Sequence, residues 1–143
     1  MLISQILKTK GDTVFTIFPS DTVAQAAGLL DTRRVGALVV SDDKGGVAGI
    51  ISERDIVRVL ARGGAQALAG PISACMTADV IFADPGESVD ALLARMTDRR
   101  IRHLPVCSQG KLLGIVSIGD LVKTKIAETE AEARSLKEYI TAG

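Results

Sequence analysis

The chain is written twice. Sliding it by 66 positions pairs Val14 with Val80, Pro19 with Pro85, Val23 with Val89, Leu38 with Leu104 and Val40 with Val106. The same shift pairs Arg33-Arg34 with Arg99-Arg100. After a one-residue gap in a turn, a shift of 65 pairs Gly45 with Gly110, Gly49 with Gly114, Ser52 with Ser117 and Asp55 with Asp120. A repeat this long, present in only two copies, is not a solenoid. Each copy holds about 50 residues, marginal for a core of its own, so the duplication calls for two units that complete each other's burial.

Each copy carries the same local signals. "DTVFTIFP" and "DVIFADP" are β-branched or aromatic runs closed by Pro, which predict a first strand. "PSDT" and "PGES" supply helix caps. Val23, Ala26, Ala27 and Leu30, matched by Val89, Leu92, Leu93 and Met96, fall at the i, i+3, i+4, i+7 spacing of a buried helical stripe. "VGALVV" and "IRHLPV" predict a second strand, "DDKGG" and "SQG" tight turns, and "VAGII" and "LLGIV" a third strand. A second helix then starts at Ser52 or Ser117. The predicted architecture is α+β: two pseudo-symmetric β-α-β-β-α units packed sheet-to-sheet, plus a C-terminal helix. By this division, 1–62 is the first copy with its N-terminal segment, 63–76 a linker holding one helical turn, 77–126 the second copy and 127–143 the C-terminal helix. In that helix Ala133, Leu136, Tyr139 and Ile140 line one face, suited either to packing on the same chain or to a dimer.

Composition narrows the function classes. With 17 basic and 17 acidic residues, the chain lacks the basic field that a general nucleic-acid binder needs, so no nucleic-acid partner is expected. No apolar run approaches a membrane span, and no signal-peptide pattern opens the chain, so the expected setting is cytoplasmic and off the membrane. Cys75 and Cys107 form no CxxC pair, and His103 is the single histidine, too few ligands for a metal site. The two cysteines read as small buried residues of a reducing compartment.

The phrase that recurs most closely is "GIISERDIV" (Gly49 to Val57) and "GIVSIGDLV" (Gly114 to Val122). Ser-x-x-Asp at a helix start reads first as a capping box, in which each side chain answers the other's backbone N–H. The preceding glycine would let a ligand approach the strand, and Ile50-Ile51 or Ile115-Val116 would flank a base. The duplicated unit with this Gly-h-h-Ser-x-x-Asp motif (h aliphatic) resembles the cystathionine-β-synthase (CBS) domain, which occurs as a pair called the Bateman module. The resemblance covers about Gly11 to Ile126.

That resemblance implies clefts for adenine-containing ligands: AMP, ADP, ATP or NAD(H), with S-adenosylmethionine ranked behind them. It implies a homodimer and a regulatory, non-catalytic role as an energy or redox sensor, acting in trans on an effector protein that the sequence does not name. The Asp carboxylate would accept from ribose hydroxyls and the Ser would orient sugar or phosphate. The second copy carries Arg102 and His103 where the first carries Gly36 and Ala37. Arg102 is a donor fork suited to phosphate, and His103 adds a donor whose charge varies near neutral pH. The stronger site is therefore expected at Ser117, Asp120, Ile115, Arg102 and His103, closed by Gly11, Asp12, Thr13 and Val14. The weaker one is expected at Ser52, Asp55 and Ile50, with Ala78, Asp79 and Val80 across from it. Two rivals remain open: a structural dimerisation module whose Ser-x-x-Asp pairs only cap helices, and a thiol or metal redox site built on His103 and Cys107.

Overall fold

A computed structural model describes residues 1–11 and 13–142. Asp12 and Gly143 lie outside the described residues, and with Asp12 one expected site residue. The elements are α1 (Ile3–Lys10), β1 (Thr16–Ile17), α2 (Val23–Arg33), β2 (Ala37–Ser41), β3 (Val47–Ser52) and α3 (Glu53–Gly63), followed by α4 (Val89–Arg99), β4 (His103–Ser108), β5 (Lys111–Ser117) and α5 (Ile118–Ala142). The chain forms two compact units, one of Thr13–Ile81 and one of Met1–Asp12 with Phe82–Gly143.

In the Thr13–Ile81 unit, β1 runs parallel to β2, and β2 pairs antiparallel with β3. Thr22 caps α2 by accepting from the Gln25 amide, as a hydroxyl at that position should. The expected stripe then turns Val23, Ala26 and Leu30 inward, with Ala27 half-buried. Leu38, Val40 and Ile51 from the sheet and Ile56 from α3 complete this aliphatic core. The other unit repeats the plan. Ser88 caps α4, Val89, Leu92 and Met96 are buried, and β4 pairs antiparallel with β5. Both first helices end on an arginine in the left-handed conformation, Arg34 at φ 53° and Arg100 at φ 55°. These residues therefore turn the chain out of the helix. Arg33, one step earlier, stacks its guanidinium 5.0 Å from the centre of the Phe15 ring.

Four expectations are corrected. The first concerns the leading segments, which are exchanged. The amides of Ile3 and Ser4 donate to Glu87 O and Pro85 O, both at 3.0 Å, so the N-terminal segment belongs with the second copy. The amides of Ile72 and Ser73 donate to Asp21 O (2.8 Å) and Pro19 O (3.0 Å), which sets the segment ahead of the second copy on the first. The pattern extends to Val89 N on Met1 O and Val23 N on Gly70 O, both at 3.0 Å. The two leaders align at a spacing of 69, distinct from the 66 of the copies they serve. Each buries an isoleucine completely, Ile3 in one unit and Ile72 in the other.

The second correction follows from Ile72: residues 63–76 are more than a linker. They fold into two short 3-10 segments, Gly64–Ala69 and Ile72–Ala74, whose last turn is core. Third, "DVIFADP" does not form a strand; only Ala83 bridges to Val106, as Ile17 pairs with Val40 in the first copy. Pro105 explains the loss. It stands where Val39 donates its amide to Phe15 O at 3.2 Å, and proline has no amide to give. Fourth, the expected C-terminal helix is present but does not begin at residue 127. With neither Gly nor Pro between Gly119 and Gly143 and many Ala, Glu and Lys, the second copy's last helix continues unbroken through 25 residues as α5. Leu121 is buried, whereas Leu136, Tyr139 and Ile140 are exposed within the single chain.

Candidate functional site

The two strand-to-helix corners have the same skeleton. In one, the Ser117 amide donates to Asp120 Oδ2 at 2.9 Å and the Asp120 amide donates to Ser117 Oγ at 3.1 Å. In the other, the Ser52 amide and hydroxyl donate to Asp55 Oδ2 at 2.9 and 3.1 Å, and the Asp55 amide donates to Ser52 Oγ at 3.4 Å. Both pairs are thus capping boxes, an arrangement whose caps are worth about 1 kcal/mol each. The capping reading and the ligand reading do not exclude each other, because the cap uses one carboxylate oxygen and leaves the other.

What separates the corners is access. The Asp55 side chain is 6% exposed, with its Oδ1 facing Arg58 Nη1 at 3.7 Å. The Asp120 side chain is 28% exposed, and among the described residues its carboxylate accepts two hydrogen bonds, both on Oδ2. An arriving hydroxyl can reach Asp120 but not Asp55 without rearrangement.

Strand register brings the remaining second-copy residues to the same corner. His103 stands opposite Ser117 in the β4–β5 pair, and the Ile118 amide donates to Arg102 O at 2.8 Å. Arg102 is exposed and His103 half-buried. In the other unit, Ala37 stands opposite Ser52 and the Glu53 amide donates to Gly36 O at 3.0 Å, so that corner offers no basic side chain from these positions. Gly11, at φ 100°, ends α1 in the unit that holds Asp120, whereas Thr13 and Val14 belong to the other unit.

One site residue escaped the sequence reading. Lys10, the last residue of α1, donates from Nζ to Asp120 Oδ2 at 2.5 Å and to Ile115 O at 3.0 Å. Partial burial pushes the Asp120 carboxyl upward. The hydrogen bond from Lys10, the Ser117 amide and the nearby ammonium charge outweigh it and hold the group below the ordinary aspartate value. No local pattern could have announced this contact, because it spans 110 positions.

The glycines of the motif also have another use. A Cβ on Gly49 would lie 2.7 Å from Thr77 O and 2.9 Å from Met76 Sδ; one on Gly114 would lie 2.7 Å from Leu7 Cδ2. The space read as an opening for a ligand is filled by the exchanged leaders. In the Thr13–Ile81 unit the Thr77 backbone pairs both ways with Ile50, at 2.9 and 2.8 Å, and the chain runs directly on through Ala78, Asp79 and Val80. Gly49→Ala is expected to cost about 1–3 kcal/mol, since the clash is with backbone. Gly114→Ala should cost less, because the Leu7 side chain can move aside; urea denaturation of the two variants checks the order.

Two other features bear on chemistry. Burial pushes both thiols above the ordinary cysteine value, helped at Cys75 by the charge of Asp55, which disfavours the reactive thiolate. A groove of about 500 Å³ between α2 and α3, lined among others by Leu30, Arg34, Glu53 and Val57, includes none of the expected site residues.

Comparison with known proteins identifies the two copies, each matched together with the leader that precedes it in sequence. The CBS domain family model matches twice, at residues 4–62 and 72–126. The chain is 34% identical to a mitochondrial CBS domain-containing protein of Arabidopsis thaliana, over 99% of this chain and 72% of that one. It is 40% identical to the crystal structure of a CBS-domain containing protein of Agrobacterium tumefaciens, with a TM-score of 0.86, covering 87% of this chain and 99% of that one. Two further solved structures hold ligands. A CBS domain protein of Pyrobaculum aerophilum complexed with AMP is 26% identical, with a TM-score of 0.74 over 84% of this chain and 89% of that one. A CBS domain pair in complex with 5'-methylthioadenosine and S-adenosyl-L-methionine is also 26% identical, with a TM-score of 0.79 over 90% of this chain and 98% of that one. Two motif-bearing copies, each matched by the family model and together reproducing solved CBS pairs, establish that this chain belongs to the CBS domain family as a tandem pair.

Proposed function

We propose that the chain is a regulatory module that binds an adenine nucleotide at the Ser117–Asp120 corner and passes the binding event to a partner protein in trans. The observation that carries the reading is the part-exposed Asp120 carboxylate, at a corner where His103 stands opposite Ser117 and the Ile118 amide donates to Arg102 O. A carboxylate there accepts from ribose hydroxyls, while an arginine fork supplies charge-assisted donors to phosphate. The AMP and S-adenosylmethionine complexes of related CBS proteins support the ligand class. AMP, ADP, ATP and NAD(H) are the candidates; the Ser52–Asp55 corner, with its buried carboxylate, is the weaker site. The output is a population shift whose size is limited by the ligand's differential affinity for two states of the module. The module works as a homodimer in the reducing cytoplasm, with no chemistry of its own. Among the described residues, no helix is long and apolar enough to cross a membrane.

The test is a thermal-shift panel of AMP, ADP, ATP, NAD⁺, NADH and S-adenosylmethionine at about 1 mM, on the wild type and on Asp120→Ala. A ligand with Kd near 10 μM stabilises the wild type by about 2.7 kcal/mol. The variant should lose that response while keeping a cooperative unfolding transition. Silence of the wild type across the panel would leave a structural dimerisation module whose Ser-x-x-Asp corners only cap helices.

A further inference from the structure

The two leaders differ in length, and the difference is placed at one site only. From Ile3 to Val14 is 11 positions, whereas from Ile72 to Val80 is 8, so the first leader carries three extra residues. They lengthen α1 by its last turn, which ends in Lys8-Thr9-Lys10. The consequence is visible at equivalent carbonyls. Ile50 O is satisfied by the backbone amide of Thr77 at 2.8 Å, whereas Ile115 O accepts from the Lys10 ammonium at 3.0 Å. The same ammonium also binds Asp120 Oδ2. A full positive charge therefore sits on one of the two motif aspartates, delivered by a segment with no counterpart in the other leader.

We propose that Lys10 makes the Asp120 site selective for phosphorylated adenosine over adenosine itself. This rests on the nucleotide reading above. Ribose hydroxyls arriving at Asp120 Oδ1 share the carboxylate with the ammonium already on Oδ2 and weaken that ion pair. A neutral nucleoside offers the ammonium nothing in return, and its hydroxyls are weaker partners for a carboxylate than an ammonium is. A phosphate offers a replacement anion. The lysine side chain, 37% exposed, has a four-carbon stem flexible enough to re-aim its charge. A sulfonium nucleoside brings a second positive charge next to Lys10 and is disfavoured for the same reason. Lys10 thus acts as a specificity-determining residue that Asp120 holds until a phosphate takes it over.

The experiment is calorimetric titration of the full chain with AMP and with adenosine, for the wild type, Lys10→Met, Lys10→Gln and Lys10→Arg. The wild type should prefer AMP. In Lys10→Met the preference should fall on the order of tenfold, about what one charge-assisted hydrogen bond contributes, through weaker AMP binding and equal or tighter adenosine binding. Lys10→Gln, which keeps a donor but no charge, should behave like Lys10→Met, and Lys10→Arg should retain the preference. An AMP-to-adenosine ratio unchanged in Lys10→Met and Lys10→Gln, with both ligands still binding, overturns the role of Lys10 and leaves the nucleotide reading standing. No binding of either ligand to the wild type overturns both.

Discussion

Ile72→Ala is expected to destabilise the protein by about 2–5 kcal/mol, as removal of a fully buried isoleucine does. Ile72 has no exposed surface and lies in the core with Val23, Ala26, Leu30, Leu38 and Ile51. Its backbone is pinned as well, by the 2.8 Å bond from its amide to Asp21 O. The surrounding sheet and helix cannot collapse onto the vacated volume without breaking that bond, which places the cost toward the upper part of the range. Against a total stability of about 5–15 kcal/mol for a natural domain, the variant should melt roughly 10 °C lower. Ser73→Ala, one position on and exposed, should change stability by less than about 0.5 kcal/mol. Chemical denaturation of the pair checks both. A cost below about 0.5 kcal/mol for Ile72→Ala would mean that residues 63–76 are a connector after all and that the exchanged leader adds nothing to the core. Ile3→Ala should show a cost of the same size in the other unit, where Ile3 is equally buried.

Exchanging stability for binding should separate the two motif aspartates. Asp55→Ala is expected to cost about 1–3 kcal/mol in stability and little in nucleotide affinity. Its carboxylate accepts from the Ser52 amide and hydroxyl, it is the charged residue found among the buried ones, and it stands in the first turn of α3, where a negative charge complements the helix dipole. Truncation leaves the Ser52 amide without its acceptor in a place that water reaches poorly. Asp120→Ala should cost less than about 1 kcal/mol in stability, because the corner is open and the ion pair with Lys10 is partly exposed. Its cost falls on ligand binding. Denaturation curves and titrations on both variants give four numbers. Equal stability losses at the two positions would mark Asp120 as a structural cap like Asp55 and remove the ground for ranking its corner first.

How much of this was readable from the chain varies with the range of the interaction. The duplication, the Ser-x-x-Asp caps and the stripes Val23-Ala26-Leu30 and Val89-Leu92-Met96 were legible because each is set within one or two helical turns. The pairing of His103 with Ser117 was not legible, since it depends on a register shift between Val106 and Cys107 without which the turn would set His103 opposite Val116. Two features were readable but read otherwise. Pro105 announces the missing ladder bond of the second copy, and the absence of any breaker after Gly119 announces one continuous α5. In both cases symmetry with the first copy was the stronger signal, and it misled.

The sequence by itself determined the repeat, the capped starts of the paired helices, the aliphatic core faces and the placing of a hydroxyl and a carboxylate at two corners, because local backbone sterics and 3.6-residue periodicity act between near neighbours. Only the tertiary structure decided which leader serves which copy, what fills the space above Gly49 and Gly114, and that Lys10 sits on Asp120. Those outcomes depend on backbone amides and one ammonium finding acceptors tens of residues away. The pairing is selected by the joint burial of Ile3 and Ile72 rather than by any pattern along the chain. The same duplicated corner is consequently closed and structural at Asp55, and open and charged at Asp120.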